Sequence, residues 1–417
     1  MKLLKGASIY LISNILNAAI PFLLLPILTR YLSHEEYGQI AIFQTLLSGI
    51  STFIGLSTIE AANRKYYDDN NNDNNALREF NGCCLYILFF SSVFVFLITL
   101  LFGERLSYFF AIPTSWIISA VIISTFNFII LLRLTQWQIR NKAKSFGIVQ
   151  LINSLINMLL SLVFIIYLNE GAQGRIEAQL ITSFIISLAS LSLIYKDELV
   201  KMTSLRWKYT KEALAFSLPL LPHNLGVFLI SSVDRFFINQ KLGIAETGIY
   251  MVAVQLSSSL SIIFNSLYQA YIPWLFEKLK RNNSEEKKMI VKSTYSYFLL
   301  LLIIAILAFI IGPFFITLIA GEKYNSVGNI IGWLCLGQIF GGMYLIMSGY
   351  IYYAKKTGKL SAITLFSGGI NILLLYFLIN KLGLSGAAIS YCIVKLIQLI
   401  VVFFIAKRSV PMPWAKI

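Results

Sequence analysis

The chain of 417 residues is 57% hydrophobic and only 13% charged, whereas a soluble globular domain would be about 45–50% apolar and about 25% charged. With a mean hydropathy of +0.74, it reads as an integral membrane protein with no room for a soluble domain. The net charge of +15 points to anionic lipid rather than nucleic acid, because the basic residues sit just outside the apolar runs, where they anchor and orient helices.

In chain order the apolar runs predict helices at approximately 6–28, 38–60, 80–102, 114–138, 147–168, 177–195, 213–238, 247–272, 291–319, 327–353, 360–380 and 384–406. Each comes near the roughly 20 residues that cross a hydrocarbon core of about 30 Å. The first run begins after Lys5, continues to about Leu28 and lacks a small-residue cleavage site, so it is expected to stay as the first helix.

The breaks between runs alternate in charge. Basic residues collect at the N-terminus (Lys2, Lys5), in the second break (Arg64, Lys65, Arg78) and in the fourth (Arg140, Lys142, Lys144). The sixth (Lys196, Lys201, Arg206, Lys208, Lys211) and eighth (Lys278, Lys280, Arg281, Lys287, Lys288, Lys292) are richer still. The tenth (Lys355, Lys356, Lys359) and the tail (Lys407, Arg408, Lys416) complete a set holding 25 of the 34 Lys and Arg. The odd-numbered breaks carry one each: Arg30, Arg105, Arg175, Lys241, Lys323 and Lys381. Positive segments resist translocation, so the basic breaks and both termini are expected in the cytoplasm, which requires an even number of spans.

The chain also carries signs of duplication. At an offset of 210, Asn14 falls on Asn224, Leu32 on Leu242, Glu36 on Glu246 and Gly38 on Gly248. At an offset of 214, Lys142 falls on Lys356 and Asn157 on Asn371. Six helices then repeat in the same orientation. The expected organisation is an N-terminal lobe at 1–196, a linker at 197–212, a C-terminal lobe at 213–406 and a tail at 407–417, with a cleft between the lobes as the natural substrate site.

Ionisable residues within apolar runs are the first candidates for chemistry, since each costs about 2.5–3.5 kcal/mol at mid-span on insertion scales. Lys395 is the deepest, about eleven residues into the twelfth run, with Gln398 on the same face. It is either an anion-binding or proton-linked group, or a lysine that pairs or snorkels. Asp234 and Arg235 lie about one turn inside the seventh run; adjacent helical positions diverge by about 100°, so they need not pair. Arg235 offers a planar fork to phosphate and Asp234 a proton or cation site, or the two close a gate. That run opens with Pro219, Pro222 and His223, where the helix is expected to bend and supply a hinge. Asn14, Asn17, Asn127, Asn157, Asn224, Asn265, Gln338 and Asn371 serve sugar hydroxyls or hold helices together. Glu60, Arg64 and Arg133 are placed near the cytoplasmic mouth, where they either receive a charged headgroup or are ordinary interfacial residues, and Arg30 lies at an outer turn.

Several chemistries are excluded. The Asn-rich stretch from Asp68 to Asn74 has oxygen ligands at calcium-loop spacing but Asp73 at the position that needs glycine. It reads as a polar loop. Cys83, Cys84, Cys335 and Cys392 lack metal-site spacing and read as packing residues. No phosphate-cradling glycine loop, nucleophile elbow or HExxH motif occurs, and no outer loop exceeds roughly a dozen residues. No cofactor or metal is expected.

The run from Ser8 to Asn17, Thr29 to Leu32 with Tyr37-Gly38, Asp234-Arg235 followed by Gly248 to Tyr250, Pro273-Trp274 and Gly383 to Ala388 resemble bacterial polysaccharide-biosynthesis flippases of the O-antigen (Wzx) type, in the MATE-like (MOP) superfamily. The resemblance covers essentially the whole chain. It implies an all-α membrane protein of two six-helix lobes, with spans 1, 2, 7 and 8 around a central cavity. It also implies movement of an undecaprenyl-diphosphate-linked oligosaccharide to the outer leaflet of the bacterial inner membrane, for O-antigen, lipopolysaccharide or another surface polysaccharide. Lys395 and Arg235 would hold the diphosphate, with Arg30 or Arg133 along the route, and H+ or Na+ is a candidate coupling ion. A polysaccharide polymerase and a chain-length regulator are candidate partners beside membrane lipids. Two other readings remain: a drug/cation antiporter on the same fold, and a membrane glycosyltransferase or polymerase.

Overall fold

The computed structural model describes residues 2–68, 74–202 and 206–414, with side chains at 12–67, 75–202 and 206–414. Residues 69–73 of the Asn-rich loop, the side chains of Lys2 and Lys5, and Lys416 lie outside this set. The described residues are nearly all helical and contain no strand. Twelve helices are long and apolar enough to cross a membrane. In chain order these are α1 (Ile12–Tyr31), α2 (His34–Tyr67), α3 (Asn75–Phe110), α4 (Thr114–Ile139), α5 (Ala143–Tyr167) and α6 (Gly171–Lys196). The second six are α7 (Trp207–Ser231), α8 (Ile244–Arg281), α9 (Ser284–Ala320), α10 (Glu322–Tyr353), α11 (Thr357–Leu382) and α12 (Leu384–Ser409).

Several helices outrun their apolar runs. The apolar run marks hydrocarbon, whereas capping sets the helix end. At α9 the Asn283 side chain accepts from the backbone N–H groups of Glu285 and Glu286, at 2.8 and 3.3 Å, so the helix starts seven residues before the predicted position 291. Ser33 and Glu36 form a reciprocal capping box that starts α2, with Ser33 N–H donating to Glu36 Oε2 at 2.8 Å and Glu36 N–H to Ser33 Oγ at 3.1 Å.

Two predicted spans differ in kind. The run at 38–60 predicts one helix, but α2 breaks between Phe53 and Thr58. The run at 213–238 divides: α7 ends at Ser231, a turn follows at Ser232 and Val233, and a short connecting helix occupies Asp234–Leu242. Within α7 a 3-10 turn at Leu218–Leu220 carries Pro219 at its start, where the missing N–H and the ring geometry alter the helix locally.

The chain divides into two compact units, Met1–Leu225 and Gly226–Ile417, called here the N-lobe and C-lobe. The N-lobe core joins Ile54, Ile59, Phe80, Cys84, Phe128 and Ile194. The C-lobe core gathers Leu275, Ile290, Met347, Tyr350, Val402 and Trp414. In the tail segment after α12, the Trp414 ring packs edge-on against Tyr350 and Tyr295, and its carbonyl accepts from the Tyr295 hydroxyl at 2.9 Å. All four cysteines are buried and free.

Each lobe repeats the same internal logic. Its fourth helix is the most buried, 56% of the apolar window for α4 and 61% for α10, which makes it the central helix of that lobe. Asn157 on α5 accepts from Arg175 on α6, and Asn371 on α11 accepts from Ser390 on α12 at 3.0 Å. The asparagines that coincide at an offset of 214 thus make the same fifth-to-sixth-helix tie in each lobe. Outward faces such as Phe89, Phe94 and Leu101 on α3 or Leu299, Ile306 and Ile310 on α9 are exposed, as suits surfaces that lipid covers.

Candidate functional site

Lys395 sits near the middle of α12, half-buried inside the C-lobe. Gly337 on α10 makes the room, and Gly341 one turn on lies beside Lys395. A Cβ at Gly337 would stand 2.5 Å from the Tyr391 ring, and one at Gly341 would stand 4.0 Å from Lys395 Cδ. Small residues at this spacing let helices approach closely. Lys395 Nζ lies 5.6 Å from the centre of the Tyr391 ring, one turn back on the same helix, a distance at which the ring face attracts a cation. Among the described residues it forms no ion pair. Gln398, at i+3, is buried and its Oε1 has no hydrogen-bond partner among the described residues.

Asp234 and Arg235 are buried, 3% and 6% exposed, and they do pair: Arg235 Nη1 donates to Asp234 Oδ1 at 2.9 Å. The reason is the turn that ends α7. Asp234 starts a new helix, where its carboxylate folds back to accept the N–H of Arg235 at 3.0 Å and complements the positive helix end. Its other oxygen accepts from the Tyr250 hydroxyl of α8 at 2.7 Å, with Tyr250 fully buried. Arg235 Nη1 also donates to the Ser231 carbonyl that the break sets free. No local pattern in the sequence joins Tyr250 or Ser231 to this cluster, because both partnerships depend on the break.

The remaining candidates distribute as follows. Asn14 accepts from Gln150 at 3.2 Å and Asn17 from Ser154, so both tie α1 to α5. Asn371 Nδ2 donates to the Leu229 carbonyl at 2.8 Å, joining α11 to α7. Asn265 donates to the Ser261 carbonyl of its own helix at 2.8 Å. Arg133, only 1% exposed, pairs with Asp197 and lies 4.0 Å from the Trp137 ring centre. That pairing holds the Asp197 carboxyl below the usual carboxylate range. Arg30 is exposed in the last turn of α1. His223 is half-buried after the 3-10 turn, its Nδ1 without a partner among the described residues.

Asn224 belongs to a different neighbourhood. Its Nδ2 donates to Ser57 Oγ at 2.9 Å, at the break in α2. Beside that break lies an open cavity of about 330 Å³ within the N-lobe, lined by Ser51, Ser57, Ser124, Asn127, Asn224 and Glu60, with Phe128 against its wall. The sequence places Glu60 near the cytoplasmic mouth and gives no sign of the cavity. The signal available was Gly55 followed by Ser57 and Glu60, the spacing of a helix start inside an apolar run.

Twelve membrane-crossing helices in two compact units make this a multi-pass membrane protein. Its fold is that of the MATE transporters. It is similar to the inward-facing conformation of a multidrug resistance MATE family transporter of the MOP superfamily, with a TM-score of 0.71 over 95% of this chain and 97% of that one, at 16% identity. The multidrug transporter DinF-BH in complex with R6G gives a TM-score of 0.68 over 98% of this chain and 95% of that one, at 17% identity. Likeness at that identity carries the fold alone. Residues 3–279 match the polysaccharide biosynthesis protein family, and the chain belongs to that family. It is 27% identical to an uncharacterized membrane protein of Haemophilus influenzae, across 87% of this chain and 86% of that one. It is 22% identical to the capsular polysaccharide biosynthesis protein CapF of Staphylococcus aureus, across 97% of this chain and all of that one.

Proposed function

We propose that the protein is a flippase that carries an undecaprenyl-diphosphate-linked oligosaccharide from the cytoplasmic to the outer leaflet of the bacterial inner membrane. It works by alternating access and serves O-antigen or another surface polysaccharide. The observation that carries this reading is Lys395, a cation at mid-span with no carboxylate partner among the described residues. An ammonium there costs about 2.5–3.5 kcal/mol, and a diphosphate in transit supplies the missing counter-charge. Arg235 is already committed to Asp234 and to the Ser231 carbonyl. Its part in this conformation is to hold the start of the connecting helix, which leaves Lys395 as the primary anion ligand. Membership in a polysaccharide biosynthesis family supports a glycan cargo, and the polyprenyl tail can remain in lipid throughout.

The test is complementation of a clean deletion in the native host, with surface-glycan staining and analysis of lipid-linked intermediates. Lys395→Ala, at matched protein level, is expected to lose export while finished lipid-linked units accumulate on the cytoplasmic face; Lys395→Arg keeps the cation and retains export. Normal export by Lys395→Ala removes the diphosphate assignment. A deletion with normal surface glycan and altered sensitivity to cationic dyes favours the drug/cation antiporter, which the fold alone supports. Glycosidic product from purified protein, nucleotide sugar and lipid acceptor would restore the enzyme reading.

A further inference from the structure

The break in α2 is a built feature of the N-lobe. Gly55, Leu56 and Ser57 take φ values of +70°, +48° and +59° in succession. Two of these are not glycine, and non-helical backbone at membrane depth persists where it is re-satisfied or lines a cavity. Both conditions hold here. Gly55 N–H donates to Ser91 Oγ at 2.8 Å and Gly55 O accepts from Thr58 Oγ1 at 2.7 Å. The cavity of about 330 Å³ lies beside the break, with Ile54 and Ser57 in its lining.

We infer that this cavity is a subsite for one uncharged sugar residue of the transported glycan, and that it rejects a uronic acid there; the inference rests on the flippase reading. The lining carries both donors and acceptors in the mixture that sugar hydroxyls require. Asn127, Ser48 and Glu60 line it, and none of the three has a side-chain bond to another described side chain. Ser51 and Ser124 share a hydrogen bond at 3.0 Å in which either can donate, so the pair can reorient to suit a ligand. Glu60 is the one ionisable group in the lining. A carboxylate accepts from two hydroxyls at once and repels a second carboxylate. The Phe128 ring and Ile54 supply apolar surface for the C–H face of a pyranose.

A bound cation is the competing occupant, and the size of the cavity disfavours it. The volume is many times the about 10–15 Å³ that one water needs, and it falls in the range of small-molecule sites.

The test uses the full chain in lipid nanodiscs. Binding is measured for a bare polyprenyl diphosphate and for the same lipid bearing glucose, galactose, N-acetylglucosamine or glucuronic acid. Wild type should bind at least one neutral-sugar lipid about tenfold more tightly than the bare lipid, and the glucuronate lipid no more tightly than the bare one. In the double variant Glu60→Gln/Asn127→Ala that advantage should fall to within about twofold, with bare-lipid affinity serving as the control for folding. Equal binding of bare and neutral-sugar lipids, or an advantage that survives the double variant, overturns the subsite and leaves the flippase reading standing. Failure of every lipid to bind overturns both.

Discussion

Removing the Asp234 carboxylate should cost the C-lobe far more than an ordinary buried hydrogen bond. Asp234 accepts three bonds: from Arg235 N–H at 3.0 Å, Arg235 Nη1 at 2.9 Å and the Tyr250 hydroxyl at 2.7 Å. Asp234→Ala leaves a guanidinium and a phenol in a site where Asp234, Arg235 and Tyr250 are all buried. Breaking a buried ion pair from one side costs about 3–5 kcal/mol, whereas interhelical hydrogen bonds in membranes average about 0.6 kcal/mol. For a unit the size of the C-lobe, 1 kcal/mol corresponds to about 2–4 °C in Tm. Asp234→Ala should therefore lower the Tm of the detergent-purified protein by roughly 10 °C, against about 2 °C for Tyr250→Phe. A double-mutant cycle decides the cause. Asp234→Ala/Arg235→Ala should recover part of the loss, because the stranded charge goes with its partner. A Tm for Asp234→Ala within about 1 °C of wild type, or strict additivity in the cycle, would refute the reasoning.

Two further outcomes follow from the N-lobe. Gly55→Val places a Cβ only 2.1 Å from Phe128 Cε2 at a φ of +70°, where left-handed backbone costs an L-residue roughly 1–2 kcal/mol before any clash. It should destabilise the N-lobe, and Phe128→Ala should rescue the clash portion in a thermal-shift assay; no rescue would mean that the ring is not what limits the site. Asp197 is held below the usual carboxylate range by its bond to Arg133. Its contribution is present above the ordinary Asp value of about 3.9 and is lost as pH falls through the lowered folded value. Asp197→Asn should reduce Tm at neutral pH and flatten its decline in acid, and parallel curves for the two proteins would show that the pair does not matter.

The sequence by itself determined twelve spans, a duplicated plan and an irregular α7. Hydropathy and proline geometry are local properties, and they read correctly from the twelve apolar runs and from Pro219. The asparagines at 157 and 371 announced the repeat for the same reason. Tertiary structure decided which polar groups meet. Asp234 pairs with Arg235 because α7 stops at Ser231, and adjacent positions on an unbroken helix would have diverged. Asn14 and Asn17 face α5, while Asn127 faces a cavity, although all are amides in apolar runs. The break in α2 turns on Phe128 packing against Gly55 from a helix more than 70 residues away in sequence. Partner choice and the sign of φ are set by packing across the lobe, and no local pattern encodes that. Lys395 belongs to both accounts: its depth was written in the twelfth apolar run, and its lack of a counter-charge among the described residues emerged only when its neighbours were placed.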